Sequence, residues 1–401
     1  MAIKAGQILH DAEGYVFDRI QSAGPGSVNI PEEKVYETGN YQTVATVRDI
    51  PDLSFDLESF DVSCEMEAVI TGQDPTSVVD GDEFDFADAH PIDVISPFKS
   101  RTGQFDIVKG VAIPYLTLER VQYRFGLRQN ATQSFTLRGD SIYYIPGTPY
   151  YEEFVNTGAT SHSFAHTAIE YVESGDSVYA LCVMLYNTTT GAYKRLFIND
   201  DYTNTSGGFT LTEDRSASFD QVKVVYGSAV AASYPQTVHQ GVSVKPAAVR
   251  GKDIDLYIGD DSATPTFTRW TGVQSVDISR SVNLDYDDEF GNAHHVDAGY
   301  DTADVTGSVT VKAADPEDLF EKIAQVADIA TNKIVGPFTS TFLPMEVRIS
   351  DPDSGDVLKT LYVPDARFTI PGYSARVQQK LEVQFNFTSD GGNLLVYAGE
   401  R

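Results

Sequence analysis

Cysteine is almost missing from this 401-residue chain, which has only Cys64 and Cys182. Two thiols so far apart, the second inside the apolar run 178–186, exclude a disulfide framework. They read as small buried hydrophobes rather than a redox pair or part of a zinc site. Long hydrophobic runs are lacking too, and none approaches the roughly 20 residues that cross a bilayer, so no membrane insertion is expected. Residues 1–20 carry His10, Asp11, Glu13 and Asp18 without an apolar stretch, and they are not read as a secretory signal. Lysine is scarce. The 13 Lys and 16 Arg face 38 Asp and 20 Glu, for a formal net charge of −29. Nothing in that balance supplies a basic patch, which argues against sequence-specific binding of nucleic acid. Such a chain repels itself strongly in dilute buffer. In molar salt the Debye length falls to about 3 Å and most of that repulsion is screened. The composition therefore fits a protein that works in high salt, with an acidic protein of ordinary surroundings as the plain alternative.

Catalytic signatures are lacking as well. There is no Gly-x-Ser-x-Gly elbow, no phosphate loop and no dinucleotide fingerprint. The acidic stretch 285–291 lacks the spacing of a calcium loop, and 351–356, with Pro352 and Gly355, has the chemistry of a hairpin turn. His162 and His166 are four apart in a strand-like segment with no Glu between them, so a zincin pattern is absent. His294-His295 follows Gly291-Asn292 in a loop and is expected in solvent. Carboxylates are too many for two to be singled out as a glycosidase pair. Asn-x-Ser/Thr occurs at Asn130, Asn187, Asn204 and Asn386, but without a signal it is weak evidence of glycosylation. No catalytic, metal or cofactor residue is assigned.

What is present is β-structure. Leu53, Phe55 and Leu57 alternate with Ser54, Asp56 and Glu58. Val305, Gly307, Val309 and Val311 alternate with Thr306, Ser308, Thr310 and Lys312, and Leu381, Val383, Phe385 and Phe387 with polar residues. Period two gives each strand one dry and one wet face. After the second of these strands, Asp315-Pro316-Glu317-Asp318 opens a predicted helix to about Ala330, with a capping Asp, a first-turn Pro and acids at the positive end of the dipole. A shorter helix is expected over Ser63–Ile70, on the apolar positions Cys64, Met66 and Val69. Strands are predicted at Ala168–Val172, Ser177–Tyr186, Tyr193–Ile198 and Gln221–Tyr226. With turn-rich segments between them, they suggest a small sandwich.

The first third of the chain is echoed in the last. Ile20-Gln21-Ser22 recurs as Val273-Gln274-Ser275, and Ser27-Val28-Asn29-Ile30 as Ser281-Val282-Asn283-Leu284. Gly39-Asn40 recurs as Gly291-Asn292, and Asp49-x-x-Asp52-Leu53 as Asp301-x-x-Asp304-Val305. Pro114 after Val111-Ala112-Ile113 recurs as Pro364 after Leu361-Tyr362-Val363. The offsets run from 250 (364 minus 114) to 254 (281 minus 27), in one order with small gaps. A period this long means two copies of one domain. The copies take residues 1–147 and 249–401, and 148–248 is an inserted β-domain with its linker, 236–250, leading into the second copy.

In this order of elements each copy resembles the tail-tube (major tail) protein of long-tailed viruses of the siphovirus type. An early strand ends at Ser-Val-Asn, an acidic loop leads through Gly-Asn to Asp-x-x-Asp, and an alternating strand, a helix and a closing pair follow. The resemblance covers about three quarters of the chain and includes no diagnostic motif. It implies a mainly β fold of two tandem β-sandwich or half-barrel domains, each with one flanking α-helix. It also implies a fused double-domain form whose trimers imitate a hexameric ring, stacking into a tube that delivers the genome. The partners implied are other copies of the chain, a tape measure protein and other tail proteins, with double-stranded DNA passing unbound. The place implied is the virion, after synthesis in the host cytoplasm, and with the acidic composition the host is expected to be a haloarchaeon. A net negative lumen would repel phosphates. Ser54, Asp56, Glu58, Thr306, Ser308 and Thr310 are candidates for lining it, while the run Arg120/Arg124/Arg128 and Lys312 are not acidic. The loops 31–48 and 285–300, with Gly39, Asn40, Gly291 and Asn292, are candidates for stacking contacts, and 148–248 would project outward. Alternatives are another tail component (a terminator or baseplate hub), an acidic cell-surface β-sandwich binding protein, or an acidic glycosidase.

Overall fold

Period-two alternation becomes strand in both copies, because each such segment can bury one face while pairing its backbone on both sides. The structure is a computed structural model. It describes residues 10–11, 20–36, 43–48, 50–60, 62–75, 77–99, 107–173, 176–230, 249–260, 264–289, 294–313, 342–369, 381–389 and 391–401. In the first copy the strands are β1 (His10–Asp11), β2 (Ile20–Asn29), β3 (Glu32–Tyr36), β4 (Thr43–Arg48) and β5 (Asp52–Ser59). Helix α1 (Glu65–Ile70) precedes β6 (Glu83–Asp85), β7 (Ile92–Lys99), β8 (Ile107–Gly126), β9 (Thr132–Gly139) and β10 (Tyr143–Ile145). The insertion holds β11 (Thr148–Val155), β12 (Ser161–Ser163), β13 (Tyr171–Glu173), β14 (Asp176–Val178), β15 (Ala180–Tyr186), β16 (Tyr193–Leu196), β17 (Tyr202–Thr205), β18 (Gly208–Leu211) and β19 (Gln221–Ser228). The second copy has β20 (Ile254–Ile258), β21 (Thr268–Arg269), β22 (Val273–Asp287), β23 (Asp297–Ala313), β24 (Phe342–Ser350), β25 (Val357–Thr369), β26 (Leu381–Ser389) and β27 (Leu395–Ala398).

One sheet runs through both copies. Its order begins β2-β5-β9-β8 and continues β22-β23-β26-β25. These are the same four positions of the repeat, twice, in the same order. The register repeats with them. Ala23 lies opposite Leu57 as Val276 lies opposite Val309, and Leu118 opposite Leu137 as Phe368 opposite Phe387. Even a bulge is copied, between Ile20 and Ser22 and again between Val273 and Ser275. The joint is the ladder of β8 with β22, where Arg120 faces Ser281 and Tyr123 faces Ile278.

The long strand of each copy serves two layers. The first half of β8 pairs with β7 and β10, and its second half with β9 and β22. It turns at Pro114 and Tyr115, where Tyr115 has φ 57 and its N–H is held by Asp93 Oδ1 at 2.8 Å. Proline removes a ladder donor at such a corner. Likewise β25 pairs with β27 before Pro364 and with β26 after it, while β24 runs beside both halves. Between the layers lies one apolar core that includes Phe55, Leu57, Phe135, Phe385, Phe387 and Trp270, so it too is continuous from copy to copy. Helix α1 is as short as expected, and Met66, Val69 and Ile70 are buried. The helix predicted from Asp315 to Ala330 lies outside the described residues.

The insertion begins where the repeat ends, and it is a small sandwich. Its sheets β11-β19-β15-β16 and β12-β18-β17 share a core in which Phe164 stacks on Tyr226 with ring centroids 4.4 Å apart. His162 belongs to this core, stacked on Phe209 at 5.0 Å. The segments read as long acidic loops are largely strand: β3 and β4 form a hairpin within 31–48, and β22 and β23 carry their ladder out to Asp287 and Asp297 within 285–300. No period marks the strands there, because charged and small residues, as in Glu32-Glu33-Lys34 and Asp297-Ala298-Gly299, interrupt the alternation of apolar and polar positions.

Candidate functional site

The wet face of the shared sheet brings the predicted residues together. Leu53, Phe55 and Leu57 point into the core, which turns Ser54, Asp56 and Glu58 of β5 the other way. In the ladders Asp56 lies opposite Thr136 of β9, Thr136 opposite Arg120 of β8, and Arg120 opposite Ser281 of β22. The neighbouring row runs from Glu58 through Ser134, Gln122 and Ser279 to Thr306. Residues directly opposite share a face in an antiparallel ladder. All six candidates therefore lie on one side of one sheet, although Ser54, Asp56 and Glu58 come from the first copy and Thr306, Ser308 and Thr310 from the second. Asp56 and Thr306 are exposed and the other four half-buried.

Between the two sets runs a hydrogen-bonded polar network. Thr136 Oγ1 donates to Asp56 at 2.8 Å. Across the joint of the copies, Gln122 Nε2 donates to Asp277 at 2.9 Å, Arg120 Nε to Ser279 Oγ at 3.0 Å, and Arg124 Nε lies 3.3 Å from Asp277. Arg138 forks onto Glu119 at 2.8 and 3.0 Å and reaches Asp52 at 3.1 Å. The bonds to Glu119 raise its pKa further, against a smaller effect of burial. Asp52, Asp56, Glu58, Glu119, Asp277, Asp304 and Glu382 outnumber Arg120, Arg124, Arg138, Lys312 and Arg367 on this side, so the face is net acidic but cross-braced. Arg120, Gln122, Arg124 and Asp277 were legible in the alternation of 118–125 and 276–282, yet only the pairing of β8 with β22 makes them neighbours.

Beneath the sheet, a buried cluster ties the copies from the other side. Lys359 Nζ of β25 donates to Glu67 Oε1 of α1 at 2.7 Å and to Gln133 Oε1 at 3.0 Å. The Tyr123 hydroxyl donates to the same Glu67 oxygen at 2.6 Å. Burial, and then the Glu67 charge, push the Tyr123 pKa well above its ordinary value. Beside it, β6 of the first copy adds to β27 of the second, Phe84 opposite Val396.

A third junction joins all three parts. Asp140, at the end of β9, is 2.7 Å from Arg195 of the insertion and 3.3 Å from His294 Nδ1 of the second copy. Burial favours the neutral acid, but Arg195 and His294 outweigh it and hold the carboxyl well below the carboxylate range. The His294-His295 pair expected in solvent is thus largely buried. His295 donates its backbone N–H to Asp140 at 2.9 Å and stacks on Tyr286 at 4.2 Å. The β22–β23 ribbon folds onto Asp140 and carries both rings with it.

The chain is similar, over 39% of its length and 98% of the other's, to a chain in the cryo-EM structure of the anti-feeding prophage (AFP) baseplate, 6-fold symmetrised. Identity is 12% and the TM-score 0.26. Such a likeness decides neither fold nor function. No family model and no curated protein matches the chain.

Elsewhere, a cleft of about 180 Å³ separates the first copy from the insertion, lined by His90, Asp93, Tyr151, Glu153, Tyr186 and Lys223 among others. Burial, helped by the Lys223 cation, lowers the His90 pKa to about 4. Among the described residues no group of His, Cys, Asp and Glu has the geometry of a metal site. No described helix is long and apolar enough to cross a membrane, which leaves β-barrels unaddressed. Gly39, Asn40, Gly291 and Asn292 lie outside the described residues.

Proposed function

We propose that this chain is a non-catalytic structural subunit of a viral tail tube, whose shared sheet turns its polar face to the conduit. The observation that carries this is the sheet order β2-β5-β9-β8-β22-β23-β26-β25, one four-stranded unit added to itself head to tail. Adding a unit to itself is a heterologous contact, and a heterologous contact closes into a ring when its rotation divides a full turn. Two units per chain then make three chains a six-position ring. Rings stack into a tube, with tape measure protein inside it during assembly and genome later. A face that is net acidic, with Arg124 and Arg138 paired to carboxylates, repels passing phosphates, so DNA slides without being held. The insertion, which meets the first copy at Asp140 through Arg195, would project outward.

Negative-stain microscopy of the purified full chain in molar salt tests the reading. The expected result is three-chain rings or stacked tubes with an open lumen. Closed rings that never stack would favour a terminator or baseplate component. Monomers at every concentration and salt would reject the tube.

A further inference from the structure

The joint inside one chain shows which surfaces of the repeat are made to be covered. To the first copy, the second presents β22, paired with β8 as far as Ser281, with Lys359 of β25 and Val396 of β27. Lys359 and Val396 are fully buried, and Val282, next along β22, is 5% exposed. The first copy owns the same features at the same fold positions. Val28 stands where Val282 stands, in β2 as against β22, and Tyr144 of β10 lies opposite Val111 as Val396 lies opposite Leu361. There nothing described covers them: Val28 is 50% exposed and Tyr144 is 74% exposed, and Ile30, just past β2, is exposed as well. Scattered apolar residues on a surface need no explanation, but these recur at the positions that the joint buries.

We propose that the β2–β10 side of the first copy is a docking surface for a second copy of this chain, whose second half covers it as the first half covers the second within one chain. The proposal rests on the reading of the chain as a self-adding subunit and assigns the residues that meet. The occupant follows from continuity: β2 ends the shared sheet as β22 would if β8 were removed, and the piece that fits such an edge is another copy of the repeat. Pro25 denies one donor to the β2 edge, so side chains rather than a full ladder carry the contact.

The test is a concentration series of the full chain by sedimentation velocity, beside microscopy, for the parent, for Val28→Asp with Tyr144→Asp, and for the control Val172→Asp. Val172 is equally solvent-facing, at 70%, but lies in the insertion. All three substituted positions are exposed, and matched circular dichroism melts verify that the variants fold. The double variant should need roughly tenfold more protein or above to associate, as for loss of interface anchors, while the control follows the parent. Rings that form in the double variant as in the parent would overturn the docking surface and leave the tube standing. Association that is lost in the double variant, from a parent that makes dimers or open filaments without rings, would support the surface and reject the tube. A parent that never associates overturns both.

Discussion

Three atoms decide how firmly the copies are locked together: Lys359 Nζ, Glu67 Oε1 and the Tyr123 hydroxyl oxygen. Both charged side chains are fully buried. Such a pair is weak evidence for stability, since desolvation offsets attraction, but removing one partner strands the other's charge. Lys359→Met should therefore cost about 3–5 kcal/mol in urea unfolding, and the added substitution Glu67→Gln should recover much of that. A recovery near zero would mean that packing, not charge, holds the joint. His90 makes a second prediction. Its pKa is lowered from 6.5 to about 4, so the unfolded chain takes up a proton between those values that the folded chain refuses. The stability it contributes is fully present above pH 6.5 and is lost as pH falls toward 4, by an amount on the order of 3 kcal/mol. Denaturant midpoints of the parent and of His90→Gln, compared at pH 7 and 5, check it: the variant should show a smaller fall.

At the scale of elements, the wet and dry faces of β5, β23 and β26 were legible in the sequence, since alternation is local and only two strand faces exist. The turn at 351–356 was legible too: Gly355 has φ 83, and the Asp351 N–H donates to the Asp356 carbonyl at 2.8 Å. The ribbons within 31–48 and 285–300 were not, because charged and small residues break the alternation there. The two copies also divide volume differently across the same ladder. Phe55 faces Leu137 in the first, whereas Gly307 faces Phe387 in the second. A Cβ at Gly307 would come within 2.3 Å of the Asp277 carbonyl oxygen and of the Phe387 ring. Gly307→Ala should thus destabilise by roughly 1–3 kcal/mol, read as a lowered midpoint with unchanged slope in urea. The mirror change Phe55→Gly has no such clash and acts by leaving a void instead.

For the whole molecule, charge sets the working conditions. With a formal charge of −29, the fold and any ring of several chains should gain from screening. Raising potassium chloride from about 0.1 M to 2 M should raise the melting temperature and lower the concentration at which rings form. An equal change with an uncharged osmolyte in place of salt would point to solvent exclusion rather than screening. The candidate site belongs to this scale also. Alternation placed Ser54, Asp56 and Glu58 on one wet face and Thr306, Ser308 and Thr310 on another, but that these are one face depends on the β8–β22 ladder.

By itself, the sequence determined the β class, the internal repeat and the dry face of each alternating strand. These are local periods, or comparisons of the chain with itself, and they need no knowledge of which strands meet. Only the tertiary structure decided that two copies make one sheet and one core, that Lys359 finds Glu67, and that His294 and His295 go inside. Those outcomes depend on which open edge accepts which strand over hundreds of residues. One unpaired edge offers the same backbone donors and acceptors as another, so geometry alone makes the choice.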